Sequence, residues 1–530
     1  MQLLKNRNNA VYAFFVSVIL AAGFFLRLYA LPSYPLPINQ DELSNIYDGY
    51  SIAETGADRW GNEYPLTLRG FGNGDYRPSL YAWLCAASIK VLGPTVLAGR
   101  LPAALLGCLS LLLLFGVARK IGGRQYAILA LLLAALMPWH ILYSRMAHEG
   151  LAFPAFFFIL SCYLWIVTTE KPGNLVYLSL LGLSLGMGTS TCHAGKLLFF
   201  LFSILVVVHL FILRKATLKS LSVLGVMLLA GALPQVITLA TNNHQFMSRA
   251  SNTVLPGSLT YGYINNLFDA LYSNFSPHFL FFSYGEYNKH TVGRLLNVEC
   301  LFFYIGLFYF YRQHKSTAPI NPAWLLALLF VAIFPAALTD DNPHSIRASC
   351  LTVLLPLFSA TGIILVKDSI SNLSVKKIYY VATLAAIIIN GAYFVKKYPV
   401  YAPSVLARHQ NELVNLAKKI DGLKEQYHNI YIQDVGNQPY IYIAFYCHIK
   451  PQAFQNGYKD YEENAFDGNW DHFRQIGKFH FVQPDTINKM LTSTGREKNL
   501  FVIPTPYHHL QLLDSVWVED KMFYFTSIQP

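Results

Sequence analysis

Charge is what this sequence has least of. Asp, Glu, Lys and Arg make up 13% of its 530 residues, where a soluble domain carries about 25%. So few charges cannot cover the surface of a water-soluble chain this long. Mean hydropathy is +0.35 and 54% of residues are hydrophobic. The seven cysteines are an odd number with no CxxC pair, which excludes a disulfide framework and a zinc knuckle. GFGNGD (70–75) has no Lys-Ser/Thr after it, so a nucleotide-binding loop is excluded. Internal repeats and low-complexity segments are also missing. The formal charge of +11 does not point to nucleic acid, because the basic residues gather at the ends of apolar runs, as in membrane proteins.

What is present is a series of apolar runs between residues 11 and 395. They are long and do not alternate, so they predict a polytopic helical membrane protein rather than a barrel. Spans are expected near 11–30, 96–118, 124–139, 151–168, 175–190, 197–213, 220–240, 297–312, 323–338, 348–366 and 378–395, about eleven in all. Alternate loops hold Lys5 and Arg7, then Arg119, Lys120 and Arg124, Lys171, then Arg214, Lys215 and Lys219, then Arg312 and Lys315, and finally Lys367, Lys376 and Lys377. This bias puts the N-terminus in the cytoplasm and, after an odd number of spans, the C-terminus outside. The first run lacks an A-x-A site and reads as an uncleaved span.

Two outer loops are long, near 31–95 and 241–296. The first contains PINQDELSNIYDGY (37–50), in which Leu43, Ile46, Tyr47 and Tyr50 recur at helical spacing. Asp41 is the expected N-cap of that helix. A second helix is expected to open at Pro78, with Leu80, Trp83, Leu84, Ala87 and Val91 as its membrane-facing stripe. After residue 400 the composition changes. A polar helix over 403–426, with Leu406, Leu413, Leu416 and Ile420 on one side, precedes strand-like runs NIYIQDV, YIYIAFY, KFHFV, NLFVIP and MFYFTSI. These predict a small extracytoplasmic α+β domain over 401–530, with 1–400 as the transmembrane domain.

Asp41 and Glu42 open a helix where the chain leaves the membrane. Helix capping and the helix dipole explain two acids there, and so does a base that takes a proton from an acceptor. Outer loops that should be poor in cations each keep one: Arg77 in DYRPSLYAW, Arg145 with His148 and Glu149 in YSRMAHEGLAF, His193 and Lys196 in TCHAGKL, His344 and Arg347 in LTDDNPHSIRA. Snorkelling and ion pairing explain each singly; as a set, such cations suit a phosphate. Glu149, Asp341 and His344, with Asp340, are candidates for a divalent metal, although an Asp-capped turn explains DDNPH equally well. No other cofactor is indicated.

QDELSNIYDGYSIAETG, YRPSLYAWL and GRLPAALLG follow one another across residues 40–107. This succession resembles the GT-C-fold glycosyltransferases that use lipid-phosphosugar donors, within the group of protein O-mannosyltransferases and lipid A aminoarabinose transferases. HFLFFSYGEYNKHT and PAALTDDNPHSIRA resemble stretches of bacterial members. The resemblance implies an inverting transfer from a polyprenyl-phosphate sugar to an extracytoplasmic acceptor, in a bacterial inner membrane. It implies Asp41 as general base with Glu42 as its neighbour, and Arg77, Arg145, Lys196 and Arg347 around the donor phosphate. Glu149 stands where many members have aspartate; His148, His193 and His344 would support the site. A flippase for lipid-linked sugars, a polysaccharide polymerase or ligase, and a non-catalytic envelope scaffold are the other readings. The flippase predicts paired, symmetric halves, and none are visible in the sequence.

Overall fold

The structure, a computed structural model, describes all residues except 1, 36–37, 72–74, 214–216, 254–260, 283–292, 313–321, 340, 398–404, 434–437, 461–472, 483–497, 505–510, 519–520 and 528–530. The chain forms two compact units. One comprises Met1–Leu31 and Arg100–Tyr398, the other Pro32–Gly99 and Pro399–Pro530. The sequence suggested a single boundary near residue 400. Instead, the first long loop folds with the C-terminal residues.

In the first unit the apolar runs are helices. Among the described residues six are long and apolar enough to cross a membrane: Asn9–Leu28, Val96–Leu136, Ala152–Glu170, His193–Ile212, Ser349–Ser369 and Leu373–Lys397. Leu218–Gly231 and Leu233–Thr241, bent by 65°, make a seventh if counted as one span. Among the described residues, not every one of the eleven expected runs is a helix of that length. Leu175–Thr189 has 15 residues, which at 1.5 Å per residue falls short of the ~30 Å hydrocarbon core. The runs 96–118 and 124–139 correspond to two helices that meet at a kink at Gly123 within Val96–Leu136, as two separate runs predicted. Close backbone contact holds one helix pair together. A Cβ on Gly362 would lie 1.9 Å from Phe302 O, and one on Gly306 2.0 Å from Phe358 O, so only glycine lets these two helices meet.

In the second unit the helix Gln40–Thr55 is capped by Asn39, whose Oδ1 accepts from Glu42 N at 2.8 Å. Asp41 is therefore not the cap. It lies with Glu42 in the first turn, at the positive end of the helix dipole. Leu43, Ile46 and Tyr47 are fully buried, as their spacing predicted. A hairpin follows, β1 (Thr67–Arg69) paired antiparallel with β2 (Tyr76–Pro78). Pro78 thus ends a strand, and the next helix, Leu80–Leu92, begins after Ser79. Its expected stripe is its least covered face: Ala87 and Val91 are exposed, and Leu80, Trp83 and Leu84 half-buried, while Tyr81, Ala82, Cys85 and Ile89 are buried.

The C-terminal residues form the helix Val405–Leu423, with Leu413, Leu416 and Ile420 buried; the side chain of Leu406 is outside the described part. The sheet contains β3 (Asn429–Gln433), β4 (Tyr458–Asp460), β5 (Phe473–Ile476), β6 (Phe479–Val482), β7 (Asn499–Ile503), β8 (Gln511–Val518) and β9 (Lys521–Ser527). Its order is β4-β5-β6-β3-β7-β9-β8. β3 runs parallel to β6 and β7, and the flanking pairs are antiparallel. YIYIAFY, expected as a strand, is the helix Pro439–Tyr446, with Pro439 in its first turn and every residue from Pro439 to Phe445 buried. A short run buried all round has no polar face to reveal its period.

Candidate active site

Asp41 is half-buried and Glu42 fully buried at the head of the helix Gln40–Thr55. The C-terminal helix Pro439–Tyr446 brings Tyr442 to the same place. Its Oη donates to Ile38 O at 3.5 Å. Burial, then the charges of Asp41 and Glu42 among its neighbours, push the Tyr442 phenol well above its ordinary pKa, so it keeps its proton as a donor. The sequence reading missed Tyr442, because a strand would not have presented it there.

One turn further along, Ser44 and Asp48 gather two arginines. Asp48 Oδ2 lies 2.7 Å from Arg59 Nη1 and 3.1 Å from Arg77 Nη2. Ser44 Oγ accepts from the same two groups, at 2.6 Å from Arg59 and 2.5 Å from Arg77. Arg59 also donates to Gly70 O at 2.9 Å. Arg59 and Asp48 are fully buried, and Arg77, on β2, is 6% exposed. Arg77 is thus bound to a carboxylate and a hydroxyl of its own unit. Asp58 is buried beside the cluster, and its carboxyl is pushed upward by burial and by the Asp48 charge. Ser44, Asp48 and Arg59 were missed, although Asp41, Ser44 and Asp48 repeat at i, i+3, i+7 as a polar stripe beside the apolar one.

The first unit holds the other candidates. Arg145, 2% exposed, donates to Leu26 O, Tyr29 O and Ala30 O at 2.8, 2.7 and 3.2 Å. It thereby satisfies carbonyls where the first helix ends, the ordinary use of a cation at a C-terminus. Lys196 donates to Phe246 O at 2.7 Å and lies 4.4 Å from the centre of the Phe246 ring. His193 is the first residue of the same helix.

Two loops meet around His148, Glu149, His344 and Arg347. A Cβ on Gly150 would lie 2.9 Å from Ile346 Cγ2 and 3.3 Å from the His148 ring. His148 Nδ1 accepts from Gly150 N at 3.0 Å and lies 3.6 Å from Glu149 Oε2. His344 Nε2 is 3.3 Å from Asp341 Oδ2, and Arg347 N donates to His344 Nδ1 at 3.2 Å. Burial and the Arg347 charge, opposed by Asp341, lower the His344 pKa to about 4, so its imidazole is neutral at pH 7. Arg294, also missed, fixes this loop by donating to Ser345 Oγ at 2.8 Å and Phe279 O at 2.7 Å. Among the described residues no three His, Cys, Asp or Glu side chains come together to hold a metal ion. Glu149, Asp341 and His344 do not form such a set, and Asp340 lies outside the described residues, as does the whole segment SYGEYNKHT (283–291).

Residues 76–238 match the family model of dolichyl-phosphate-mannose-protein mannosyltransferases. No curated protein matches the chain. Among solved structures, ArnT from Cupriavidus metallidurans bound to undecaprenyl phosphate has a TM-score of 0.58 at 11% identity, covering 97% of each chain. Its apo state gives 0.58 at 12% identity, covering 98% of each. The oligosaccharyltransferase of Archaeoglobus fulgidus in the apo form gives 0.49 at 13%, covering 82% of this chain and 64% of that one. The ArnT structures show the fold over nearly the whole chain. Over residues 76–238 the chain is thus similar to that mannosyltransferase family, and over nearly its whole length it shares the fold of ArnT.

Proposed function

We propose that the enzyme moves a sugar from a polyprenyl-phosphate donor to an extracytoplasmic acceptor by a single inverting displacement, with Asp41 as general base. The observation that carries this reading is the contrast between the two acids. Glu42 is sealed in the unit's interior, while Asp41 at the same helix head keeps part of its surface open. A base must reach the acceptor's proton, and of the two only Asp41 has that access. Glu42 and the protonated Tyr442 then shape its surroundings.

In this reading the acceptor oxygen or nitrogen gives its proton to Asp41 as it attacks the anomeric carbon. The bond from that carbon to the phosphate oxygen breaks, and the lipid phosphate leaves with the electron pair. Charge grows on the leaving phosphate, where fixed cations lower the barrier most. Arg77, Arg145, Lys196 and Arg347 are the cations proposed for that work. His344, neutral and next to Arg347, leaves the positive charge of that loop on the guanidinium. The lipid carrier is a polyprenyl phosphate of the undecaprenyl class, as bound by the ArnT of similar fold. The membrane is a bacterial inner membrane, with the N-terminus inside and residues 401–530 outside.

The test compares wild type with Asp41→Asn in detergent, on a panel of polyprenyl-phosphate sugars with a membrane extract as acceptor source. Turnover by the wild type, and about a hundredfold less by Asp41→Asn with donor still bound, is expected. Equal turnover would remove Asp41 from the chemistry. Turnover by neither, with donor moved across liposomes, would favour a flippase.

A further inference from the structure

Residues 439–457 hold the helix Gln40–Thr55 at three places along its length. At the head, Tyr442 Oη donates to Ile38 O. In the middle, Tyr47 Oη donates to Ile449 O at 2.8 Å, and its ring packs 5.5 Å from that of Phe454, which is fully buried. At the tail, Gln455 Nε2 lies 3.0 Å from Ser51 Oγ, 3.2 Å from Thr55 Oγ1 and 2.8 Å from Asp58 O. The amide's two hydrogens are shared among three oxygens, of which two belong to the last turns of the helix and one to the loop after it. These contacts join positions about 400 residues apart in the chain.

Strand β3 pairs with β6 on one side and β7 on the other without using any of these groups. The segment 439–457 can therefore serve the helix it touches without disturbing the sheet. A 16-residue helix is marginal in water by itself. A catalytic side chain needs its support fixed to within about 0.5 Å. We propose that the C-terminal residues act as a clamp that fixes the helix carrying Asp41, with Gln455 as a positioning residue. The function of the clamp rests on the reading of Asp41 as the base.

The experiment uses the full chain in detergent and compares wild type, Gln455→Glu and Tyr47→Phe. At neutral pH the carboxylate that Gln455→Glu introduces keeps the shape of the side chain but can only accept hydrogen bonds. Tyr47→Phe removes a single hydroxyl and stands in should the first variant fail to fold. Hydrogen–deuterium exchange is expected to be about tenfold faster for amides of residues 43–55, with β3 and β7 unchanged. On the undecaprenyl-phosphate sugar that the wild type turns over, kcat is expected to fall about tenfold with the donor KM unchanged. A loss of fold would move both parameters and expose the sheet. Unchanged exchange over 43–55 in both variants would overturn the clamp. Faster exchange with unchanged kcat would overturn the positioning role. Full activity of Asp41→Asn, or no turnover by the wild type, would defeat the functional reading instead, and the exchange result would still decide the clamp.

Discussion

Asp48 is the residue whose loss the second unit should tolerate least. Two buried guanidiniums share its carboxylate, Arg59 at 2.7 Å and Arg77 at 3.1 Å, and the three side chains are at most 7% exposed. Asp48→Asn keeps the shape and keeps Oδ1 as the acceptor that lies 3.3 Å from Arg59 N, so the change isolates the charge. Removing one partner of a buried ion pair typically costs about 3–5 kcal/mol, because the remaining charge is left desolvated without compensation. For a unit of about 200 residues each kcal/mol lowers the melting temperature by about 2–4 °C, so a drop of roughly 10 °C is expected. Arg77→Met should cost less, about 1–2 kcal/mol, since it leaves the Asp48–Arg59 pair intact. The assay is thermal unfolding of the full chain in detergent, followed by tryptophan fluorescence, with exchange over residues 40–70 to locate the loss. A drop in Asp48→Asn below about 3 °C, or one no greater than that of Arg77→Met, would refute the account of Asp48 as the shared counter-charge.

Two further outcomes are expected. The His344 imidazole protonates near 6.5 when unfolded and near 4 when folded. Between those values the unfolded chain binds more protons, so His344 costs stability as pH falls from 6.5 to 4, up to about 3 kcal/mol. His344→Gln should therefore flatten the melting temperature against pH over that window and leave it unchanged above about pH 7; equal slopes in both proteins would count against the neutral buried imidazole. Gly362→Val should cost at least ~3 kcal/mol, since its Cβ would fall 1.9 Å from Phe302 O and the helix pair would have to separate. The check is the yield and melting temperature of the purified protein, and values equal to wild type would refute the close backbone contact.

Much of the fold was legible because its signals are local. The long apolar runs of the first unit are helices, and the helical spacing of Leu43, Ile46 and Tyr47 described the buried face of the loop helix correctly. Hydropathy reports burial in lipid and burial in protein alike, so it does not by itself fix the number of spans. The cap was assigned to Asp41 when Asn39, two residues earlier, does the work, since both residue types cap helices equally well. YIYIAFY was read as a strand because a segment buried on every side carries no amphipathic period. Among the candidate cations, the sequence could not say which charges were already answered. The three backbone carbonyls around Arg145 come from a segment more than a hundred residues away.

By itself, then, the sequence determined the membrane class, the helical character of the runs, the loop helix with its two acids and the family of fold, because these rest on hydropathy, period and short motifs. Tertiary structure decided what lies far apart in the chain. It gathered Arg59, Arg77 and Ser44 around Asp48, brought Tyr442 to the head of the helix bearing Asp41, and set Gln455 against Ser51 and Thr55. The physical reason is that a side chain's partner is set by packing. Packing joins residues 400 positions apart as readily as neighbours, and it leaves no periodic trace in either segment.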